Sequence, residues 1–247
     1  MPLAVRIDLW TVRPSRVPVA FARMGWDRRV RHRPGLRFAK LIGTGDGRTF
    51  TPRDADPLRW GLVTVWETDA ASQGFGADPV ARGWERIATE HLQVQLRPLA
   101  ARGHWSGMEP FGRPDAEQPL RWAGPVASLT RARIRPTHWR RFWRSVPPVS
   151  ADLHTVPGLR LAVGIGEAPV GLQGTFSVWD SARELNRFAY RRPEHSAVVA
   201  RTPVEGWYSE ELFARFAVRS VSGTFAGADL TGLGAPGGND TAGDQRP

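Results

Sequence analysis

The two halves of this 247-residue chain repeat each other, and this repeat restricts the possible folds more than any other feature. Short segments of similar sequence recur in the same order in both halves. The matched segments, first half before second, are VRPS at 12–15 and IRPT at 134–137, GLRFA at 35–39 and GLRLA at 158–162, VTVWE at 63–67 and FSVWD at 176–180, Trp84 and Trp207, and His91-Leu92 and Glu211-Leu212. Several matches in one order indicate a duplicated supersecondary unit.

Each half also shows the same succession of secondary-structure patterns. Apolar residues that alternate at period two predict four strands in each half. These strands, first half before second, are 3–12 and 126–134, 36–42 and 159–165, 61–66 and 172–179, and 92–99 and 212–221. Helical patterns follow the first strand, at 17–26 and 139–146, and a second helix is expected after the third strand. The order strand–helix–strand–strand–helix–strand is that of a ferredoxin-like βαββαβ unit, so the sequence predicts an α+β fold of two tandem ferredoxin-like units.

Each such unit leaves one face of its sheet bare, and a bare apolar face must be buried. We therefore predict that the two units pack sheet to sheet as a dimeric α+β barrel, with a cavity between the sheets for a flat apolar ligand. The alternative is two separated domains joined at 112–123, whose bare faces bind other partners. The predicted divisions are an N-terminal half at 1–107, a connector at 108–124, a C-terminal half at 125–226 and a disordered tail at 227–247.

Composition excludes several classes of function. The chain has no cysteine, which rules out disulfides, thiolate metal sites and iron–sulfur clusters. It has no apolar run of the ~20 residues that a membrane helix needs and no signal-peptide pattern, so we expect no integral membrane segment and a cytoplasmic location. The net charge of +10 comes mostly from scattered arginines, so no nucleic-acid partner is predicted. The densest basic run, RRVRHR at 28–33, is either a plain basic loop or a site for propionates, phosphates or lipid headgroups.

His195 stands out among the six histidines because of where the repeat places it. The second half carries extra residues between Trp179 and Trp207 that the first half lacks, and RRPEH at 191–195 lies in that stretch. Pro193 suits the first turn of a helix, and His195, Val198 and Val199 would share one helix face. The histidine is either a partly buried side chain on an apolar face or a neutral imidazole presented to a cavity, as in axial ligation of haem iron.

Strand alternation supplies further candidates for a site between the sheets. In the strand 172–179, the even-numbered residues suit the helix-covered face, which predicts that Gln173, Ser177 and Trp179 point to the other face. In the strand 126–134, Arg131 and Arg133 alternate with small residues and point the same way. Buried arginine is costly unless it is paired. Haem propionates, bound oxygen or a substrate carboxylate would supply partners; otherwise both arginines lie at an exposed rim.

Several motifs resemble one known family. They are KLIGTGDGRTFTP at 40–52, LTRARIRP at 129–136, IGE at 165–167 followed by QGTFSVW at 173–179, FAYRRPEHSAVV at 188–199 and GWYSEELFARF at 206–216. Their order is similar to that in the spheroidene monooxygenase (CrtA-like) family, and the resemblance covers most of residues 3–225. Members resemble haem-dependent monooxygenases in the wider haem-binding dimeric α+β barrel group, which includes aldoxime dehydratases.

The resemblance implies haem b as the cofactor, with His195 as the axial iron ligand. With haem in the cavity, strand alternation makes Arg133 and Trp179 further candidates for binding the cofactor, and Arg131, Gln173 and Ser177 candidates for catalytic residues that orient oxygen or substrate. The expected reaction is oxidation of a small or apolar substrate by a monomer or homodimer, with electrons from a donor protein such as a ferredoxin. Two alternatives remain: a haem-dependent lyase acting on an N–O substrate, as in aldoxime dehydratases, and a non-catalytic haem or apolar-ligand binding protein.

Overall fold

The computed structural model describes residues 3–45, 55–112, 122–134, 156–167, 172–191 and 208–234. These residues form a mixed α+β fold with one large antiparallel sheet. The strands are β1 Ala4–Val12, β2 Leu36–Gly45, β3 Ala55–Trp66, β4 Ala88–Gly103, β5 Val126–Ile134, β6 Leu159–Gly166, β7 Leu172–Trp179, β8 Tyr208–Phe225 and β9 Ala228–Asp229. The α-helices are α1 Val17–Trp26, α2 Asp69–Gly74, α3 Pro79–Glu85 and α4 Ala182–Arg191. Within these ranges no helix has both the length and the hydropathy needed to cross a membrane.

The strands β1 to β8 close into a ring. Their order is β4-β1-β3-β2-β6-β7-β5-β8, and β8 pairs again with β4. Each half contributes the same order of four strands, so the first half is joined to the second along two seams. The registers agree with the repeat, because Thr64 and Ser177 each oppose the corresponding residue of the first strand of their own half. The internal repeat is thus confirmed at the level of strand pairing.

The two seams differ in length. The seam between β2 and β6 has three pairs of residues, whereas the seam between β4 and β8 extends from Leu92↔Gly223 to Gly103↔Leu212. Its two ends are equivalent by the repeat, because a leucine opposes a glycine at each end. Both glycines have positive φ, +92° at Gly103 and +93° at Gly223. The long seam therefore closes the sheet with approximate two-fold symmetry and with a glycine at each end.

The inside of the ring is a packed core in the part of the chain that the structure describes. Buried apolar side chains from all eight strands meet there, including Leu9, Val65, Leu129 and Phe216. The predicted burial of the two bare sheet faces is confirmed. Where these side chains meet, the described residues form a packed core in place of the ligand cavity that we predict between the sheets.

The outer face of the first half is covered by its helices over a second core. Trp10, Trp60 and Trp84 form its centre, with the rings of Trp10 and Trp84 stacked 5.2 Å apart and tilted by 13°. The ring of Trp60 lies 6.2 Å from that of Trp84. Three indoles thus fill the space between the sheet and the helices of this half.

The predicted strands all occur, and several of them are longer than predicted. β4 and β8 extend to Gly103 and Phe225, because pairing with each other satisfies backbone groups that would otherwise be exposed. The tandem ferredoxin-like arrangement stays a prediction, since the expected helix at 139–146 lies outside the described residues. The predicted disordered tail is wrong for 227–234, where β9 pairs with β8 and Leu230 packs against the inner core.

We expect Gly103→Ala to lower the free energy of unfolding by about 2–4 kcal/mol. A Cβ at this position would lie 2.1 Å from the carbonyl oxygen of Glu211 across the seam, and the backbone has positive φ. Urea unfolding followed by circular dichroism measures the change. Gly74→Ala is the matched control, because a Cβ there meets no atom within 4 Å. Equal stability of the two variants would contradict this account of the seam.

Candidate functional site

The outer face of the second half is formed by the corresponding strands, β5 to β8, but its side chains differ from those of the first half. Among the described residues, its buried core consists of Val126, Trp179 and Leu185, with partly buried side chains around them. The ring of Trp179 lies 5.2 Å from that of Phe188 on α4, so this end of the face is packed against the helix. The neighbouring positions of β5, β6 and β7 carry small side chains, whereas β8 brings Phe213 and Arg215 to the same face, where Arg215 donates a hydrogen bond of 3.0 Å to Asn186 on α4.

Strand pairing allows a residue-by-residue comparison of the two outer faces. The first-half residues Arg6, Asp8, Trp10, Leu41 and Leu62 correspond by register to Ser128, Thr130, Ala132, Gly164 and Thr175. Four of these five changes remove volume, one of them an indole, and the fifth replaces the charged Asp8 by Thr130 of similar size. Ser128, Thr130 and Ala132 are only partly buried, whereas Arg6, Asp8 and Trp10 are at most 1% exposed. Among the described residues, β5, β6 and β7 of the second half thus form a floor of small and hydroxyl side chains where the first half has a filled core.

Ser177 lies on this floor with its hydroxyl group oriented by a neighbour. Trp179 Nε1 donates a hydrogen bond of 2.9 Å to Ser177 Oγ, and both side chains are buried. Because the oxygen of Ser177 accepts this bond, the hydroxyl proton of Ser177 remains available to donate a hydrogen bond to a ligand on this face. The prediction that Ser177 and Trp179 face the inside of the ring is wrong. Phe176 and Val178 face inward instead, because the inner core takes the more apolar side of β7.

Arg131 does face inward, as predicted, and it is held there by two carboxylates. Its Nε donates to Glu167 Oε1 at 3.0 Å, and its Nη1 donates to Glu210 Oε2 at 2.5 Å. The ring of Trp105 lies 5.2 Å from the guanidinium carbon and donates its own Nε1–H to Glu167. Lys40 completes the group with an ion pair of 3.5 Å to Glu167. We call these five residues the inner polar cluster.

The inner polar cluster holds the loop that follows β4 against the second half. Glu210 Oε1 accepts a hydrogen bond of 2.8 Å from the backbone of Gly107. Burial raises the pKa of Glu210, but the hydrogen bonds from Gly107, Arg131 and Ser106, together with the charge of Arg131, leave this pKa below its usual value of 4.5. One polar atom of the cluster is unsatisfied within the described part of the chain: the buried Nη2 of Arg131.

The other predicted site residues have different outcomes. Arg133 is exposed at the rim of β5, which agrees with the second alternative given for it above. Gln173 opposes Ala132 in the sheet, at the position that corresponds to Trp60, and its side chain is outside what the structure describes. His195 also lies outside the described residues. Within those residues, no group of three or more histidine, aspartate or glutamate side chains could hold a metal ion.

Sequence reasoning missed Glu167 and Trp105 as partners of Arg131. Glu167 follows the glycine that ends β6, and Trp105 lies in the segment predicted to end the first half. Both reach Arg131 only because the ring closes. The sequence indicated Glu167 only through the IGE motif, in which an acidic residue directly follows β6, the strand that pairs with β2.

We expect Arg131→Gln to lower the free energy of unfolding by roughly 3–5 kcal/mol, because it leaves two carboxylates without their shared cation. Arg133→Gln is the matched control on the same strand and is expected to change stability by no more than about 0.5 kcal/mol, since its side chain is exposed. Thermal and urea unfolding measure both variants. Equal stabilities would show that the inner polar cluster does not hold the fold together.

We also expect the stability advantage of the wild type over Glu210→Gln to depend on pH. A carboxyl whose pKa is lowered by folding stabilises the folded state above its ordinary pKa of 4.5, and this contribution is lost as the pH falls through the lowered value. The difference in unfolding free energy should therefore be constant above pH 4.5 and shrink below it. The exposed Glu211→Gln is the control. A difference that grows on acidification would contradict the sign of the shift.

Comparison with solved structures supports the fold. An aldoxime dehydratase in complex with butyraldoxime matches with a TM-score of 0.56 and 11% identity, covering 87% of this chain and 79% of that chain. A second aldoxime dehydratase matches with a TM-score of 0.55 and 12% identity, over 87% and 81% of the two chains. At these identities the likeness concerns the fold alone.

Comparison with curated proteins identifies the family, although no family model matches the chain. The spheroidene monooxygenase of Rhodobacter capsulatus is 35% identical over 217 residues, which cover 87% of this chain and 89% of the relative. The spheroidene monooxygenase of Rubrivivax gelatinosus is 40% identical over 195 residues, covering 78% and 73%. Identity at this level over most of both chains shows that the chain belongs to the spheroidene monooxygenase family.

Proposed function

We propose that this protein is a haem-dependent monooxygenase that oxidises a carotenoid-type polyene, with haem b bound on the outer face of the second half. The name of the relatives supports oxidation of a spheroidene-like substrate. The observation that carries the location is the floor of small side chains on β5, β6 and β7, where Ala132 stands at the position of the buried Trp10 of the first half. Small side chains at these positions would leave room on this face for a flat apolar group.

The residues of the floor suit such a group. Ala132, Gly164 and Thr175 present little bulk, so a planar ring system can approach the backbone of β5, β6 and β7 closely. Trp179, packed against Phe188, closes one end of the floor with apolar surface. The segment that contains His195 follows α4, which lies over this face. We propose His195 as the axial ligand of the iron on this basis and on that of the family motif.

Haem iron, when bound, supplies the one-electron and oxygen chemistry that a monooxygenase requires. The protein residues have separate tasks. The Ser177 hydroxyl, fixed by the bond from Trp179, donates a hydrogen bond toward the floor and so orients a polar atom of the reactants. Gln173 is proposed as a second polar group on the same face.

The proposal changes the roles expected for the two arginines. Arg131 lies on the opposite face of β5 from the floor, and both of its partners are carboxylates of the inner polar cluster. Arg133 lies on that same opposite face by alternation. Neither is part of the proposed haem pocket. A positioning role for the inner polar cluster is proposed instead, because it fixes β5 from the inside while the floor on its other side holds the ligand.

The first test is reconstitution of the purified chain with hemin. We expect a Soret band with one haem per chain, and we expect His195→Ala to shift that band and weaken haem retention. An unchanged spectrum of His195→Ala would remove this histidine as the ligand. A chain that gains no Soret band at all would contradict the haem proposal.

A second variant tests the location of the pocket without touching the histidine. Gly164→Leu with Thr175→Leu gives the second half the bulk that Leu41 and Leu62 provide in the first half, and we expect it to abolish haem uptake. Thr175→Val is the matched control, because it removes the hydroxyl group at nearly constant volume. Circular dichroism checks that each variant is folded. Normal haem uptake by the double variant would contradict a pocket on this floor.

The reaction is tested with spheroidene, oxygen and a ferredoxin-type reductant. A monooxygenase needs both oxygen and external electrons, whereas a dehydratase-type lyase consumes no net electrons. Product that carries label from ¹⁸O₂ and appears only with reductant supports the proposal. Turnover of an aldoxime without oxygen, and none of spheroidene, would contradict it and favour the lyase.

A further inference from the structure

The outward side of α1 is apolar, which is unusual for a helix on the surface of a protein. Arg23 is the single charged residue among Val17–Trp26. The inward side packs on the outer core of the first half through Ala20, with Val17 and Met24 beside it. The exposed residues of the helix are Pro18, Val19, Phe21, Ala22, Gly25 and Trp26. A helix that is apolar all round is normally buried on all sides, but this helix is buried on one side only.

The exposed side chains on α1 include large ones. Trp26 is 67% exposed, Phe21 is 57% exposed and Val19 is 38% exposed. Among the described residues, the other large hydrophobic side chain with comparable exposure is Met108, in the loop after β4. By contrast, α4 presents Arg183 and Arg187 to solvent. The apolar surface is therefore concentrated on one helix, which marks it as an interaction site.

The segment that contains this apolar surface is rich in arginine. Residues 13–37 contain eight arginines and one acidic residue, Asp27. Asp27 is paired with Arg23 at 2.9 Å and Arg33 is paired with Asp78 at 2.5 Å, so these two arginines are neutralised within the fold. The 3-10 helix Asp27–His32, which continues directly from α1, contains Arg28, Arg29 and Arg31. Apolar residues and arginines thus occur side by side in one continuous segment.

We propose that α1 and the 3-10 helix Asp27–His32, together the docking face, bind the surface of an anionic lipid bilayer. Tryptophan at a helix end suits the headgroup level of a membrane, where its ring is partly apolar and partly polar. Arginines beside it attract anionic headgroups. A second copy is the less suitable occupant, because a symmetric contact would bring two sets of arginines together.

This docking does not depend on the haem proposal. A long apolar polyene dissolves in the hydrocarbon interior of a lipid bilayer, so docking would bring the chain to its proposed substrate. The failure of one proposal leaves the other unaffected, because vesicle binding is measured without haem, oxygen or substrate.

The absence of cysteine from the chain allows a direct test. Ala22→Cys carries a polarity-sensitive fluorophore into the docking face, and Met108→Cys carries it to the other exposed apolar site. With vesicles of phosphatidylcholine containing roughly a third phosphatidylglycerol, we expect a blue shift at position 22 and none at 108. Pure phosphatidylcholine vesicles or high salt should weaken the response, because salt screens the headgroup charge. No shift at position 22 with the anionic vesicles would overturn the proposal.

Two sets of substitutions separate the apolar and the charged contributions. Val19→Ser with Trp26→Ser should weaken vesicle affinity about tenfold or more. Replacement of Arg28, Arg29 and Arg31 by Gln should weaken it on the order of 100-fold, at about fivefold for each arginine. Arg183→Gln with Arg187→Gln, on α4, is the matched charge control and should bind as the wild type does.

Vesicle sedimentation measures the affinities, and circular dichroism confirms folding. Wild-type affinity in either docking-face variant would overturn the proposal. A wild-type dimer that Val19→Ser with Trp26→Ser converts to a monomer in light scattering, without any vesicle binding, would also overturn it and assign α1 to self-association.

Discussion

Closure of the sheet by the pairing of β4 with β8 is the constraint on which the rest of the structure depends. A sheet that closes on itself has an inside and an outside, and the inside must be filled by side chains from every strand. Once β4 and β8 pair, the inner faces of both halves share one core, and the helices lie on the outside. The proposed haem site is therefore on the outside of the ring, on the face beneath α4, and not between the sheets.

The two halves share one strand order but differ in the side chains of their outer faces. In the first half, the outer face carries the buried ion pair of Arg6 with Asp8 and a stack of indoles. In the second half, the corresponding positions of β5 carry Ser128, Thr130 and Ala132. Losing a buried indole costs roughly 3–5 kcal/mol of packing. A ligand bound on the floor would offset that cost, and the first half would then act as the stable support for a less filled second half.

The inner polar cluster shows how a buried charge is tolerated inside an apolar ring. Arg131 is 4% exposed, and a single cation at that depth would be strongly unfavourable without partners. Glu167 and Glu210 arrive from two other strand ends and neutralise it. Trp105 joins through its ring and its indole nitrogen, and with it the loop after β4 is tied to the second half. The cluster therefore serves the geometry of the fold more directly than it serves chemistry.

The sequence by itself determined the repeat, the positions of the eight strands of the ring and the family, because period-two alternation and ordered motifs depend only on neighbouring residues. It also divided β7 correctly into two faces, with Ser177 and Trp179 on one and Phe176 and Val178 on the other. Only the tertiary structure decided which face lies inside, since alternation defines two sides of a strand but not the direction of the core. The partners of Arg131 likewise required the ring, because Glu167 and Glu210 are 36 and 79 residues away along the chain. Contacts at such separations depend on which strands pair to close the ring, and local sequence patterns do not specify that pairing.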